Sequence, residues 1–136
     1  MIRSFLRNLA RLTNATLIRT HFDKADLTSA RLGWSDLTEA HLREADLAQA
    51  SFEGEARLFR AHLEGADLRR ANLDYAALHE ANFDEADLTS ADMIPAKRLT
   101  VEQLLLARSR AGAAVPREFR DHPDLQERLK DEGEAS

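Results

Sequence analysis

The feature that most constrains this chain is a five-residue period. Leu12, Leu17, Phe22, Leu27, Leu32, Leu37, Leu42, Leu47 and Phe52 stand five apart, and after one six-residue step Leu58, Leu63, Leu68, Leu73, Leu78, Phe83, Leu88 and Met93 continue the register. Two residues before each of these seventeen centres lies Ala, Ser or Thr. Such self-similarity marks a repeat architecture and is weighed before any local propensity. A helix face needs a period of 3.6 and a strand face a period of 2, so five fits neither regular element. It is explained if the backbone turns a corner every fifth residue. The small residue and the centre, two apart on a short extended segment, then point inward together. Four corners close a coil of about twenty residues, and successive coils pair at about 4.8 Å as strands do.

The recurring unit reads Ala-(Asp/Asn)-Leu-x-x, as in Ala25-Asp26-Leu27, Ala66-Asp67-Leu68 and Ala71-Asn72-Leu73. On these residues the chain strongly resembles the pentapeptide-repeat family across residues 10 to 95. The resemblance implies an all-β solenoid, a right-handed quadrilateral β-helix, here of about four coils and roughly 20 Å long at the strand spacing. The departure from the pattern is the extra residue among Glu53, Gly54 and Glu55, where Gly54 with φ > 0 would make a bulge.

Three regions follow. Residues 1–9 carry Ile2, Phe5, Leu6 and Leu9 at helical spacing and are expected to cover the N-terminal end as a helix or turn. The stretch is too short for a signal peptide and lacks a small-residue cleavage site, so membrane contact is not expected. Residues 10–95 form the β-helix. Residues 96–136 form a helical cap with a frayed tail. Its first helix starts at Thr100, an N-cap with Gln103 as capping-box partner, and runs to about Arg110, where Gly112 stops it. A second helix follows His122-Pro123-Asp124 with Leu125 and Leu129 on one face.

Sorting the outward positions by coil gives columns. Asp26, Asp46, Asp67 and Asp87 make an acidic column, in which each carboxylate is expected to accept hydrogen bonds from nearby turn amides. His21, His41 and His62 make another, ending in Asn82. Three imidazoles about 5 Å apart suggest a metal, but parallel side chains diverge from the convergent geometry zinc requires, so no metal is expected. A solvated stack that responds to pH near 6.5 is the reading here. Ile18, Trp34, Phe59 and Tyr75 are outward apolar residues, read as a patch around one corner beside the register break and as the candidate partner site.

Enzyme chemistry finds no footing. There is no phosphate loop, nucleophile elbow or His-x-x-x-His helix, cysteine is absent, and a leucine-filled interior has no room for a substrate. No catalytic residue and no cofactor is expected. The lack of cysteine fits a cytoplasmic protein, and the resemblance suggests a bacterial one. With a net charge of −5, direct nucleic-acid binding is not expected either. The expected function is therefore a non-enzymatic protein-interaction scaffold with an unidentified protein partner. The resemblance implies an alternative, because some family members mimic DNA, bind the type II topoisomerase gyrase and confer quinolone protection. Residues 10–95 hold nine Lys/Arg against sixteen Asp/Glu, an acidic rod. Its length matches only about six base pairs, so mimicry would call for a homodimer through the C-terminal helices, with Leu125 and Leu129 as the seam.

Overall fold

A computed structural model describes residues 11–127. The proposed N-terminal helix, residues 1–9, lies outside the described residues, as does Leu129.

Within residues 11–99 the chain turns every five residues, so each side of the solenoid holds only one residue in parallel bridge geometry. The bridges form four rows: Arg11–Arg31–Ser51–Asn72–Asp92, Thr16–Asp36–Arg57–Ala77–Lys97, His21–His41–His62–Asn82 and Asp26–Asp46–Asp67–Asp87. Partners are twenty residues apart at first and twenty-one across the register break. The backbone pairing repeats with the coil. The central amides from Leu12 to Leu78 donate to a bridge carbonyl one coil on, as Leu12 does to Arg31 (2.8 Å), and the bridge amides from Asp36 onward donate back to a small residue's carbonyl, as Asp36 does to Ala15 (2.9 Å).

The corner itself is a turn closed by the small residue's amide on the preceding central carbonyl, for example Ala15 N–H to Leu12 at 3.1 Å. The residue two beyond the centre takes φ near +55 to +60°, as Asn14, Lys24, Glu44 and Arg70 do. Positive φ at the third turn position alone is the type II arrangement. Among the described residues, sixteen non-glycine residues adopt positive φ. A non-glycine residue pays about 1 kcal/mol or more for this conformation, which persists because inter-coil hydrogen bonds hold both sides of every corner. At the register break, Gly54 (φ +82°) and Glu55 (φ +58°) take positive φ in succession and absorb the extra residue. Phe52 and Leu58 remain fully buried on either side. The expected bulge at Gly54 is therefore present.

The small and central residues fill the interior from Phe22 to Met93, while Leu12 and Leu17, in the first coil, are partly buried. Alanine's size decides this. A narrow four-sided tube accepts one long and one short side chain per side, and close packing penalises both voids and excess volume.

Beyond the repeats the structure departs from expectation in one respect. Helix α1 (Val101–Leu106) starts at Thr100 with both halves of the capping box formed, but it ends at Leu106, not near Arg110. The reason is that the chain rejoins the solenoid. Ser109 bridges Asp87 and Ala114 bridges Asp92, so α1 stands where a further segment over Asn82 would pair. Gln103 Nε2 donates to the carbonyls of Leu78 (2.7 Å) and Ala81 (2.8 Å), and Glu85 N–H donates to Leu106 (3.0 Å), satisfying that edge. Gly112 (φ +66°) lies in the next corner and does not terminate the helix. Arg110 takes an inward central position, only 2% exposed, where its Nη1 donates to the carbonyls of Leu104 and Ala107 at 2.8 and 2.9 Å. A cation at a helix C-terminus complements the dipole and the orphan carbonyls there. A short 3₁₀ turn (Arg117–Phe119) follows. A second helix, α2, begins at residue 123.

Candidate binding surfaces

Everything outward on this solenoid is set by the bridge rows. In the acidic column, Asp26, Asp46, Asp67 and Asp87 each accept the amide two residues on, from Thr28, Ala48, Arg69 and Thr89 at 3.0 to 3.2 Å. Asp36, Asn72, Asn82 and Asp92 do the same in their rows. The polar residue before each centre is thus a turn-forming acceptor, which is why Asp and Asn interchange there. Two members of the acidic column also carry a counter-charge. Asp67 lies 2.5 Å from Arg69 and Asp87 lies 3.3 Å from Arg108. The hydrogen bond from Arg69 holds the Asp67 carboxyl below its ordinary pKa.

In the histidine column the rings of His21 and His41 are 4.3 Å apart and those of His41 and His62 are 4.9 Å apart, all tilted. Ligand atoms of His21, Asp23 and His41 come within 4.8 Å of one another, closer convergence than a diverging stack suggests. Asp23 was not legible as part of this group, because it sits on the turn beyond the column. Against a dication stands Arg43, whose guanidinium lies 3.3 Å from His41 Nδ1 and 3.0 Å from His62 Nδ1. Burial, then the neighbouring imidazoles of His21 and His62, hold the His41 pKa below the usual histidine value, and Arg43 adds to this while Asp23 opposes it. A folded pKa below the unfolded one means that the native state favours neutral His41. The associated stability is complete above the unfolded value near 6.5 and is lost as pH falls through that value. The melting temperature is accordingly expected to decline between pH 7 and pH 5. His41→Asn, which copies Asn82 in the same column, should make that decline shallower, as thermal melts at both pH values will read.

The corner beside the histidine row carries an ion ladder, with Arg19 on Glu39 and Arg60 on Glu80, both at 2.5 Å. Both arginines are exposed and Glu39 and Glu80 are partly so, which leaves each pair open to solvent screening and of little weight in stability.

The four outward apolar residues divide between two corners. Trp34 and Tyr75 lie in turns between the first and second bridge rows. Ile18 and Phe59 lie in turns between the second and third. Phe59 is half-buried, stacked on His79 at 5.3 Å with the Arg60 guanidinium 4.8 Å over its ring. Ile18 is 48% exposed. Trp34 and Tyr75, 60% and 49% exposed, share a shallow groove of about 480 Å³ with Gly33, Glu53, Gly54 and Asp74. The indole of Trp34 lies directly on Gly54, where a Cβ would come within 2.3 Å of Nε1. A Cβ on Gly33 would meet the Glu53 carbonyl at 2.5 Å. Both positions therefore exclude any side chain larger than hydrogen.

At the C-terminus, Leu125 is 3% exposed and packs with the chain's own core, which removes it from any seam with a second copy. Leu125 belongs to the core cluster, against which Ala113, Val115 and Phe119 of the same segment also pack. No helix among the described residues is long and apolar enough to cross a membrane.

Four rows of single-residue parallel bridges around an Ala/Leu core define the class, a four-sided parallel β-solenoid whose only variable chemistry is outward. The family model for pentapeptide repeats (8 copies) matches residues 8–43, 35–54 and 55–93, and the chain belongs to that family, whose members adopt a right-handed β-helix. A solved pentapeptide repeat protein of the cyanobacterium Cyanothece 51142, Rfr23, is 28% identical, with a TM-score of 0.53 over 72% of this chain and 61% of that one. A pentapeptide repeat protein from the Arabidopsis thaliana thylakoid lumen is 28% identical, with a TM-score of 0.43 over 79% and 62%. HetL of Nostoc sp. PCC 7120, involved in heterocyst differentiation regulation, is 27% identical, with a TM-score of 0.41 over 79% and 60%. This chain thus spans about six tenths of the length of each of these proteins. No curated protein matches it.

Proposed function

We propose that the protein is a non-enzymatic interaction scaffold, a rod of about four repeat coils closed by a helical C-terminal cap, whose protein partner docks on the Trp34–Tyr75 groove. The observation that carries this reading is the exposure of Trp34 and Tyr75, the two most exposed aromatics among the described residues, in one groove. Exposed aromatics that share a patch are the usual anchors of an interface. Catalysis has no support from the outward columns, whose carboxylates are held by turn amides or arginines.

The second reading is DNA mimicry toward gyrase, and it draws on the acidic column. Tethering of Asp67 by Arg69 and of Asp87 by Arg108 lowers the field such mimicry needs. Burial of Leu125 counts against the dimer that would lengthen the rod.

One experiment separates the two. The wild-type chain is used to capture its partner from source cells, and the same partner is then measured against two double variants, with a gyrase supercoiling assay alongside. Trp34→Ala with Tyr75→Ala is expected to leave the melting temperature nearly unchanged and to weaken partner binding by about 2 kcal/mol or more. Asp46→Asn with Asp67→Asn is expected to change binding little. The reverse order, with the loss shrinking at high salt and supercoiling inhibited by the wild type, would establish mimicry instead.

A further inference from the structure

We propose that the Trp34–Tyr75 groove receives a cationic side chain, arginine or lysine, presented by the protein partner. The proposal rests on the docking surface argued above and adds the chemistry of its occupant. Two carboxylates, Glu53 and Asp74, line the groove together with the aromatic rings. Asp74 Oδ1 is shielded from solvent and accepts no hydrogen bond. Neither Glu53 nor Asp74, nor the nearby Asp92, has a basic group within ion-pair distance among the described residues, whereas Asp36, Glu55, Asp67 and Asp87 each do. Arg31 also lines the groove but pairs with none of the three. A carboxylate with a dry oxygen and no partner is a costly arrangement that an incoming cation relieves. Burial, then Asp92, then Glu53, push the Asp74 carboxyl above its ordinary pKa, the response of negative charge lacking a counter-ion.

The two rings supply the other half. Indole and phenol faces attract guanidinium and ammonium groups through their quadrupoles, more strongly when the cation is partly desolvated. Glycine at 54 lets the Trp34 ring lie against the backbone, and glycine at 33 lets the Glu53 carbonyl approach closely, so both glycines fix the wall that the ring presents to the groove. A neutral or anionic group placed there would leave Asp74 as it is or worsen it.

Trp34 is the single tryptophan of the sequence, so intrinsic fluorescence reports on this groove alone. The full-length chain is titrated at low salt with an acetyl-Gly-Arg-Gly-amide peptide and with the same peptide carrying citrulline, its neutral isostere. A saturable change in Trp34 emission is expected with the arginine peptide, with the citrulline peptide about tenfold weaker. Asp74→Asn is expected to weaken the arginine peptide about fivefold or more while melting no lower than the wild type. Glu53→Gln, at an exposed position, repeats the test with a variant whose folding is not at issue. Equal response to both peptides, or full affinity in both variants, would overturn the proposal. So would a calcium chloride titration that saturates the signal below the arginine peptide's concentration. If charge makes no difference but partner capture still depends on Trp34 and Tyr75, the docking surface stands and only the cation is rejected. If both fail, the surface falls too.

Discussion

Leu63→Asp is expected to abolish folding. Leu63 has no solvent exposure and sits in the middle of the inward column Phe22, Leu42, Leu63 and Phe83. An aspartate there would be surrounded by aliphatic side chains, with the backbone already paired between coils. Leu63 N–H donates to the Asn82 carbonyl at 3.0 Å, so no spare donor faces inward. Burying an uncompensated carboxylate costs several kcal/mol, comparable to the 5–15 kcal/mol that holds a domain together. The solenoid cannot relax around the defect, since moving one corner breaks the bridges to the coils on both sides. Circular dichroism and a thermal melt check this, with Leu42→Asp as an independent copy. Soluble, cooperatively melting Leu63→Asp protein would show the inward register to be wrong.

Deleting residues 99–136 is expected to convert a discrete rod into aggregates or fibres. The deletion removes Leu104 and Leu125 from the end of the core and exposes the aliphatic residues of the last coil. It also strips partners from the backbone. The amides of Glu85, Leu88, Ser90 and Met93 lose the carbonyls of Leu106, Ser109, Ala111 and Ala114, and the carbonyls of Leu78 and Ala81 lose Gln103. The result is a flat, unpaired edge of parallel backbone above an apolar disc, the template that edge-to-edge association requires. Size-exclusion chromatography of residues 1–98 reads the outcome directly, and a stable monomer would remove the C-terminal segment's role as a cap.

Much of this fold is written in the sequence because each repeat solves the same local problem. A centre every five residues, with a small residue two before it, leaves one backbone path that buries both. The period alone therefore identifies the interior from Phe22 to Met93 and sorts the outward Asp and His columns. The capping box at Thr100 and Gln103 was legible for a similar reason, since both partners lie within one helical turn.

The same register arithmetic would have separated Trp34 and Tyr75 from Ile18 and Phe59, because a full five-residue side lies between the two corners. Arg110 was a different case. A guanidinium in an inward position contradicts the repeat pattern, and nothing near it in the chain announces the carbonyls it satisfies. Those carbonyls exist only because α1 stops at Leu106 and the backbone returns to the sheet.

Periodicity, then, specified which side chains face in, because burial is decided by spacing along the chain. Which outward groups find partners depended on contacts between residues about twenty positions apart, across coils whose side-chain directions no local pattern encodes. Asp36 gains Arg57 and Phe59 gains His79. Asp74, one coil from Glu53 and close to Asp92, gains only more negative charge. That inequality among carboxylates of the same repeat singles out one groove, and it arises from stacking the coils.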